Sequence, residues 1–267
     1  MKAIAASLVA ILAFGTVAWA ENPQKVNMDS LNLSGENSKW IARVFGGMSL
    51  LNYSLNSSGL SLSVPNGSGA VYGAELRRRL SESGTYIRAT FLKTAVTLKV
   101  SGLSPSSVNQ EVTKVRFLLS GYLFQSDSGS SVVDKLSLGL GAELLQQSTP
   151  PTSPSEVMSS LSSTRLLFLT EYINSLKSDF RFEFRISFGF PISHYEKNQN
   201  TGFYNFGYFI EPEVALTYSI TEVLQVGVSA NATWEQKFFS GAGSRGTQSA
   251  SERILPISVP FEVRFNF

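Results

Sequence analysis

Residues 255–267 read LPISVPFEVRFNF. Leu255, Ile257, Val259, Phe261, Val263, Phe265 and Phe267 are apolar, and Pro256, Ser258, Pro260, Glu262, Arg264 and Asn266 fall between them. Successive side chains of a strand point to opposite faces, so this stretch presents one unbroken apolar face and one mostly polar face. The pattern recurs in residues 179–193. There Phe180, Phe182, Phe184, Ile186, Phe188, Phe190 and Ile192 share one face, and Arg181, Glu183, Arg185, Ser187 and Gly189 the other. An apolar face this long exceeds that of a typical strand of about 5 to 6 residues. The chain must cover such faces with something larger than a small soluble core.

The N-terminus points to the same medium. Met1 and Lys2 precede an apolar run from Ala3 to Val17, and Ala18-Trp19-Ala20 puts small residues at the positions a signal peptidase inspects. Residues 1–20 therefore read as a cleaved signal peptide; the run is short for a transmembrane helix of about 20 residues. Beyond residue 20 no stretch reaches the length of a transmembrane helix, although aromatics make up 12% of the chain. Only helices and closed barrels satisfy their backbone groups in lipid. The expected fold is all-β: a closed antiparallel transmembrane up-and-down β-barrel.

The final strand carries a resemblance as well. Phe267 at the terminus, with Phe265, Val263 and Phe261 at every second position before it, resembles the C-terminal strand of bacterial outer-membrane β-barrel proteins. In that family these positions resemble the signal read by the barrel-assembly machinery. The resemblance implies an integral outer-membrane location, with membrane lipid and the assembly machinery as partners.

Three domains follow: 1–20 signal peptide, 21–38 a polar periplasmic tail, and 39–267 the barrel. A short plug inside the lumen is the alternative for the tail. The strands are expected at 39–55, 69–80, 85–100, 111–124, 132–147, 163–173, 179–193, 203–220, 223–239 and 252–267. Three details are open. Leu60 to Val64 could extend the first hairpin instead of lying in a 56–68 loop. The apolar phase of residues 85–100 switches midway, which a bulge near Leu92-Lys93 would reconcile. Leu166-Leu167-Phe168-Leu169 does not alternate, so a short helix competes with the sixth strand. Gly46-Gly47 marks a bulge or close packing. Ten strands are expected, with eight or twelve if the sixth strand or the Leu60 stretch reads otherwise. The connections at 81–84, 125–131, 174–179 and 221–222 are shorter than the loops at 56–68, 101–110, 148–162, 194–202 and 240–251. Short periplasmic turns would place both termini in the periplasm. Aromatics at strand ends suggest interface girdles: Trp40, Tyr86, Tyr172, Tyr218 and Phe267 at one, Tyr204, Phe206, Trp234 and Phe238 at the other.

Charged residues on the polar phases point inward. The expected lumen set is Arg43, Glu75, Arg77, Lys114, Arg116, Lys135, Glu143, Arg181, Glu183, Arg185, Glu211, Glu213, Glu235, Lys237, Glu262 and Arg264. Unpaired charges in a tight lumen are costly, so these should pair across strands. The first reading is a barrel filled by paired charges with a structural or surface-interaction role. The second is a narrow porin-like channel of weak selectivity.

An outer-membrane hydrolase ranks last. Barrel proteases use rim Asp pairs and an Asp-His pair, whereas Asp29, Asp127, Asp134 and Asp179 fall in the tail or near short turns. Barrel lipid hydrolases place His and Ser two apart on a strand, whereas His194 is flanked two residues away by Ile192 and Glu196. No enzyme activity, cofactor or metal site is expected, since the chain has one His and no Cys. Without Lys2 the balance is 21 basic to 20 acidic residues, which gives no reason to expect a nucleic-acid partner.

Overall fold

Alternation of this length folds as long strands, and the computed structural model describes residues 39–57, 60–81, 84–99, 107–128, 132–148, 160–176, 179–196, 203–240 and 250–267. The expected signal peptide and tail lie outside these residues. The strands are β1 (Trp40–Ser57), β2 (Leu60–Arg79), β3 (Tyr86–Lys99), β4 (Ser107–Ser128), β5 (Val132–Ser148), β6 (Leu161–Leu176), β7 (Phe180–Glu196), β8 (Phe203–Ser219), β9 (Leu224–Ala232), β10 (Trp234–Ser240) and β11 (Ala250–Asn266). Each pairs antiparallel with its neighbours. The wall closes where β1 meets β11, from Ile41 opposite Asn266 to Ser57 opposite Ala250. Closure leaves no open edge, which lets a sheet sit in lipid.

β9 and β10 are two parts of one stave, since both lie between β8 and β11. The barrel therefore has ten staves. The break falls at Thr233, whose N–H donates to the Pro256 carbonyl at 2.9 Å. Pro256 on β11 and Pro212 on β8 flank it and have no N–H to offer, so the ladder is interrupted there.

The apolar phase faces out. Leu138, Leu140, Ile186, Phe188, Phe261 and Phe265 are exposed on the exterior, while Arg185, Glu262 and Arg264 are buried inside. An apolar exterior around a charged interior reverses the pattern of a water-soluble protein and matches a wall facing lipid. Trp40 and Phe267 meet at one end of the barrel, hereafter the terminal end. The Trp40 N–H donates to the Phe267 carbonyl at 2.7 Å, and the Phe267 N–H to the Trp40 carbonyl at 3.0 Å. The opposite end carries the longer connections and is called the loop end. At the terminal end the β2–β3 turn closes through Gly84, at φ +90°, whose N–H donates to the Ser81 carbonyl. A Cβ there would be strained and would meet the Tyr122 ring.

The structure resolves the open details and changes some expectations. Leu60 to Val64 belongs to β2, so the first connection is a hairpin extension and not a 56–68 loop. Residues 161–176 are a strand throughout, as expected for the sixth strand, and the competing short helix does not form. β3 runs in unbroken register with both neighbours, so no bulge occurs at Leu92-Lys93. The apolar phase switches because the lumen changes character: Val96 and Leu98 point into an apolar interior. No register shift occurs at Gly46-Gly47 either; a Cβ on Gly47 would meet the β11 backbone at Val259 and Pro260, which marks a close approach. Tyr86 is in the lumen, not in a girdle. Tyr204 also leaves the phase of Phe206, because a bulge between β8 and β10 shifts the register there. Trp234, Phe206 and Phe238 stay outside.

Candidate functional site

The strand register sets opposite charges side by side within the lumen. Arg43 lies opposite Glu75, Arg116 opposite Glu143, Glu143 opposite Arg165, Glu171 opposite Arg185, and Arg185 opposite Glu213. Longer bridges then cross the interior between strands that are not neighbours. In the terminal half, Glu171 on β6 is a hub. It accepts from Arg77 at 3.0 Å, Arg88 at 2.7 Å, Arg185 at 2.7 Å and the Tyr86 hydroxyl at 2.5 Å. The Arg77 and Arg88 guanidiniums also stand over the Tyr86 ring. Arg264 on β11 reaches Glu183 on β7 at 2.5 Å and Glu262 at 2.6 Å. Arg43 reaches Glu213 at 2.8 Å and Glu262 at 2.5 Å, while Arg181 pairs with Glu183 at 2.6 Å.

A second network lies nearer the loop end. Glu211 on β8 accepts from Lys114 at 2.9 Å, from both terminal nitrogens of Arg116, and from Thr233 at 2.7 Å. Arg116 also donates to Glu143 at 2.5 Å, and Arg165 bridges Glu143 to Glu235. Lys237 stands 3.4 Å from Glu235. Charges buried like this need several partners each, and removing one partner typically costs about 3–5 kcal/mol because it strands the others.

Apolar side chains complete the filling. Leu118, Leu167, Leu169 and Phe209 cluster inside the wall, with Arg165 over the Phe209 ring at 5.1 Å. At the loop end Leu51, Tyr53, Val64, Val96, Leu98, Val108 and Ile254 form an apolar cap. The spaces described among the lumen side chains are small. One of about 20 Å³ opens among Arg77, Lys135, Arg181 and Tyr122. One of about 40 Å³ lies among Arg88, Arg116 and Glu213, and one of about 50 Å³ among Gln110, Lys114 and Ile254. Such volumes hold a few water molecules.

All the lumen residues expected from the sequence point inside. Arg43, Glu75, Arg77, Lys114, Arg116, Glu143, Arg181, Glu183, Arg185, Glu211, Glu213, Glu235, Lys237, Glu262 and Arg264 belong to the two networks. Lys135 is buried over the Tyr122 ring at the terminal mouth. Sequence reasoning missed Arg88, Arg165 and Glu171, the last being the hub. Arg165 and Glu171 share parity with Leu167 and Leu169, and that locally apolar lumen face hid their phase. Arg88 could have been found, since it lies between Ile87 and Ala89 on the opposite phase.

His194 does not share a face with Ile192, as their two-residue spacing implied. A bulge between β6 and β7 separates them. Ile192 is exposed outside, whereas His194 stacks on Tyr204 with centroids 4.1 Å apart and packs edge-on to Phe239. Ser163 pairs opposite His194 in the ladder, but its hydroxyl donates to the Ser193 carbonyl at 3.0 Å. Phe261, Val263, Phe265 and Phe267 lie on the exterior near the terminal end. Among the described residues no cluster of His, Cys, Asp and Glu could hold a metal ion.

No family model and no curated protein sequence matches the chain. Solved structures do resemble it. The outer membrane protease OmpT of Escherichia coli is 8% identical at a TM-score of 0.47, over 86% of this chain and 98% of that one. The transport unit of the autotransporter AIDA-I of Escherichia coli is 10% identical at a TM-score of 0.41, over 97% and 98% of the two chains. The outer membrane protein OprG of Pseudomonas aeruginosa is 11% identical at a TM-score of 0.39, over 86% and 98%. These likenesses say nothing of activity.

Proposed function

We propose that this integral outer-membrane β-barrel works closed, as a structural or surface-interaction protein whose loops do the contacting and whose lumen does not conduct. The observation that carries this reading is the filling of the interior. Two ion-pair networks cross it from wall to wall, and an apolar cap lies beyond them at the loop end. An ion would have to displace bonded guanidiniums and then pass the apolar cap. The same reading takes the protein to be no enzyme. His194 is packed between rings at the loop end, and the serine opposite it is bonded elsewhere. It also takes the terminal end, with both termini and the shorter connections, to face the periplasm.

Single-channel recording on the refolded protein in a planar bilayer tests the closed lumen. No discrete conductance is expected from inserted barrels. Stable steps that shift in selectivity with Arg181→Ala or Glu211→Ala would replace this reading with a narrow channel. Protease applied to intact cells tests the orientation: cleavage in 149–159 or 241–249 is expected, and cleavage confined to the short turns would reverse it.

A further inference from the structure

The exterior of the barrel is not uniform. On β1 to β4 the ladder stacks two outward rows. Ala42 lies opposite Leu76, and Leu76 opposite Ala89; Val44 lies opposite Ala74, Ala74 opposite Phe91, and Phe91 opposite Val115. The three alanine methyls form the floor of a groove of about 300 Å³, and Val44, Leu76, Phe91 and Val115 stand around it. On β6 and β7 the same exterior is a packed aromatic surface, with Phe168, Phe188 and Phe190 centroids 6.3 to 6.5 Å apart.

One step along the same outward face, towards the terminal end, Trp40 lies opposite Arg78. The Arg78 guanidinium stands over the indole at 5.1 Å, and its Nε is buried with no hydrogen-bond partner. Among the described residues Arg78 makes no ion pair, unlike its lumen-facing neighbour Arg77, which is held by Glu171 and Glu75. An outward cation at the edge of an apolar band, held on an interfacial Trp, is placed for a headgroup. Its planar fork suits a phosphate, which it can bind through two parallel hydrogen bonds.

We propose that the exterior of β1 to β4 seats one anionic phospholipid, with an acyl chain in the groove over Ala42, Ala74 and Ala89 and its phosphate on Arg78. Charge complementarity selects the anionic lipid, and the apolar groove beside it supplies the chain contact. The choice of phospholipid rests on the proposed orientation, which puts Arg78 in the periplasmic leaflet.

Native mass spectrometry of the refolded protein, released from detergent with phosphatidylglycerol or phosphatidylcholine of the same chain length, tests the seat without depending on orientation. One phosphatidylglycerol should be retained roughly fivefold better than phosphatidylcholine, the factor expected for one cation near an anionic headgroup. Arg78→Gln should erase that preference. The double variant Ala74→Leu and Ala89→Leu should weaken both lipids by filling the floor. Arg253→Gln should change nothing, because Arg253 over Trp234 sits at the loop end. The gel-mobility shift of the unheated barrel verifies folding of each variant. Equal retention of the two lipids by the native protein, or an undiminished preference in Arg78→Gln, overturns the proposal. Loop cleavage in the wrong compartment, with the preference intact, would overturn the leaflet and leave the seat.

Discussion

The two ends of the lumen are built from the same strands by opposite means. In the terminal half, β3 sends Tyr86 and Arg88 inward to the Glu171 hub; at the loop end the same strand, in unbroken register, sends Val96 and Leu98 inward to the cap. Partnered charge dominates one region and hydrocarbon the other. The charged region is specific, since each guanidinium must meet named carboxylates, but it has a large desolvation penalty to offset. The cap needs only volume and apolar surface, and tolerates substitutions that keep both. The difference teaches that the interior of a narrow barrel can be filled by opposite means along its length, by changing the inward residues along each stave.

That contrast can be broken at its strongest point first. Glu171→Ala would leave Arg77, Arg88 and Arg185 without their shared carboxylate, and should destabilise the barrel by about 3–5 kcal/mol in urea unfolding from lipid vesicles. A loss below about 1 kcal/mol would mean that water screens the hub and that the terminal half is an open aqueous lumen. Leu98→Ala, deep in the cap, should cost about 2–3 kcal/mol by the same assay, as expected for a cavity that partly collapses. Ionic strength sharpens the comparison further. High salt should leave the Glu171→Ala effect nearly unchanged if the pairs are as buried as the geometry has them. The smallest effect belongs to Lys93 and Glu111, an exterior pair at 2.9 Å with both partners partly exposed. Lys93→Ala should shift the unfolding midpoint least, because a single partly exposed pair outside the two networks contributes little.

Much of this was legible in the chain. Leu255 to Phe267 and Phe180 to Ile192 give their inward and outward faces by parity alone, and parity alone put Arg181, Glu183, Arg185, Glu262 and Arg264 in the lumen. It failed where the lumen itself turned apolar. Val96 and Leu98 then looked like a slipped phase, and Leu167 and Leu169 hid Arg165 and Glu171, because alternation is visible only while the two faces differ in polarity. It failed again at His194 and Tyr204, where bulges change the side a residue faces without any local sequence mark that was recognised.

The sequence by itself determined that the strands are long, that one face of each meets lipid, and that charges of both signs line the other. These follow from the period of a strand and the cost of leaving backbone groups unsatisfied in hydrocarbon. Only the tertiary structure decided which charge meets which. Arg77 and Glu171 lie on β2 and β6, and Arg264 and Glu183 on β11 and β7. Such partners are far apart along the wall, and closing the sheet on itself is what brings them together across the lumen.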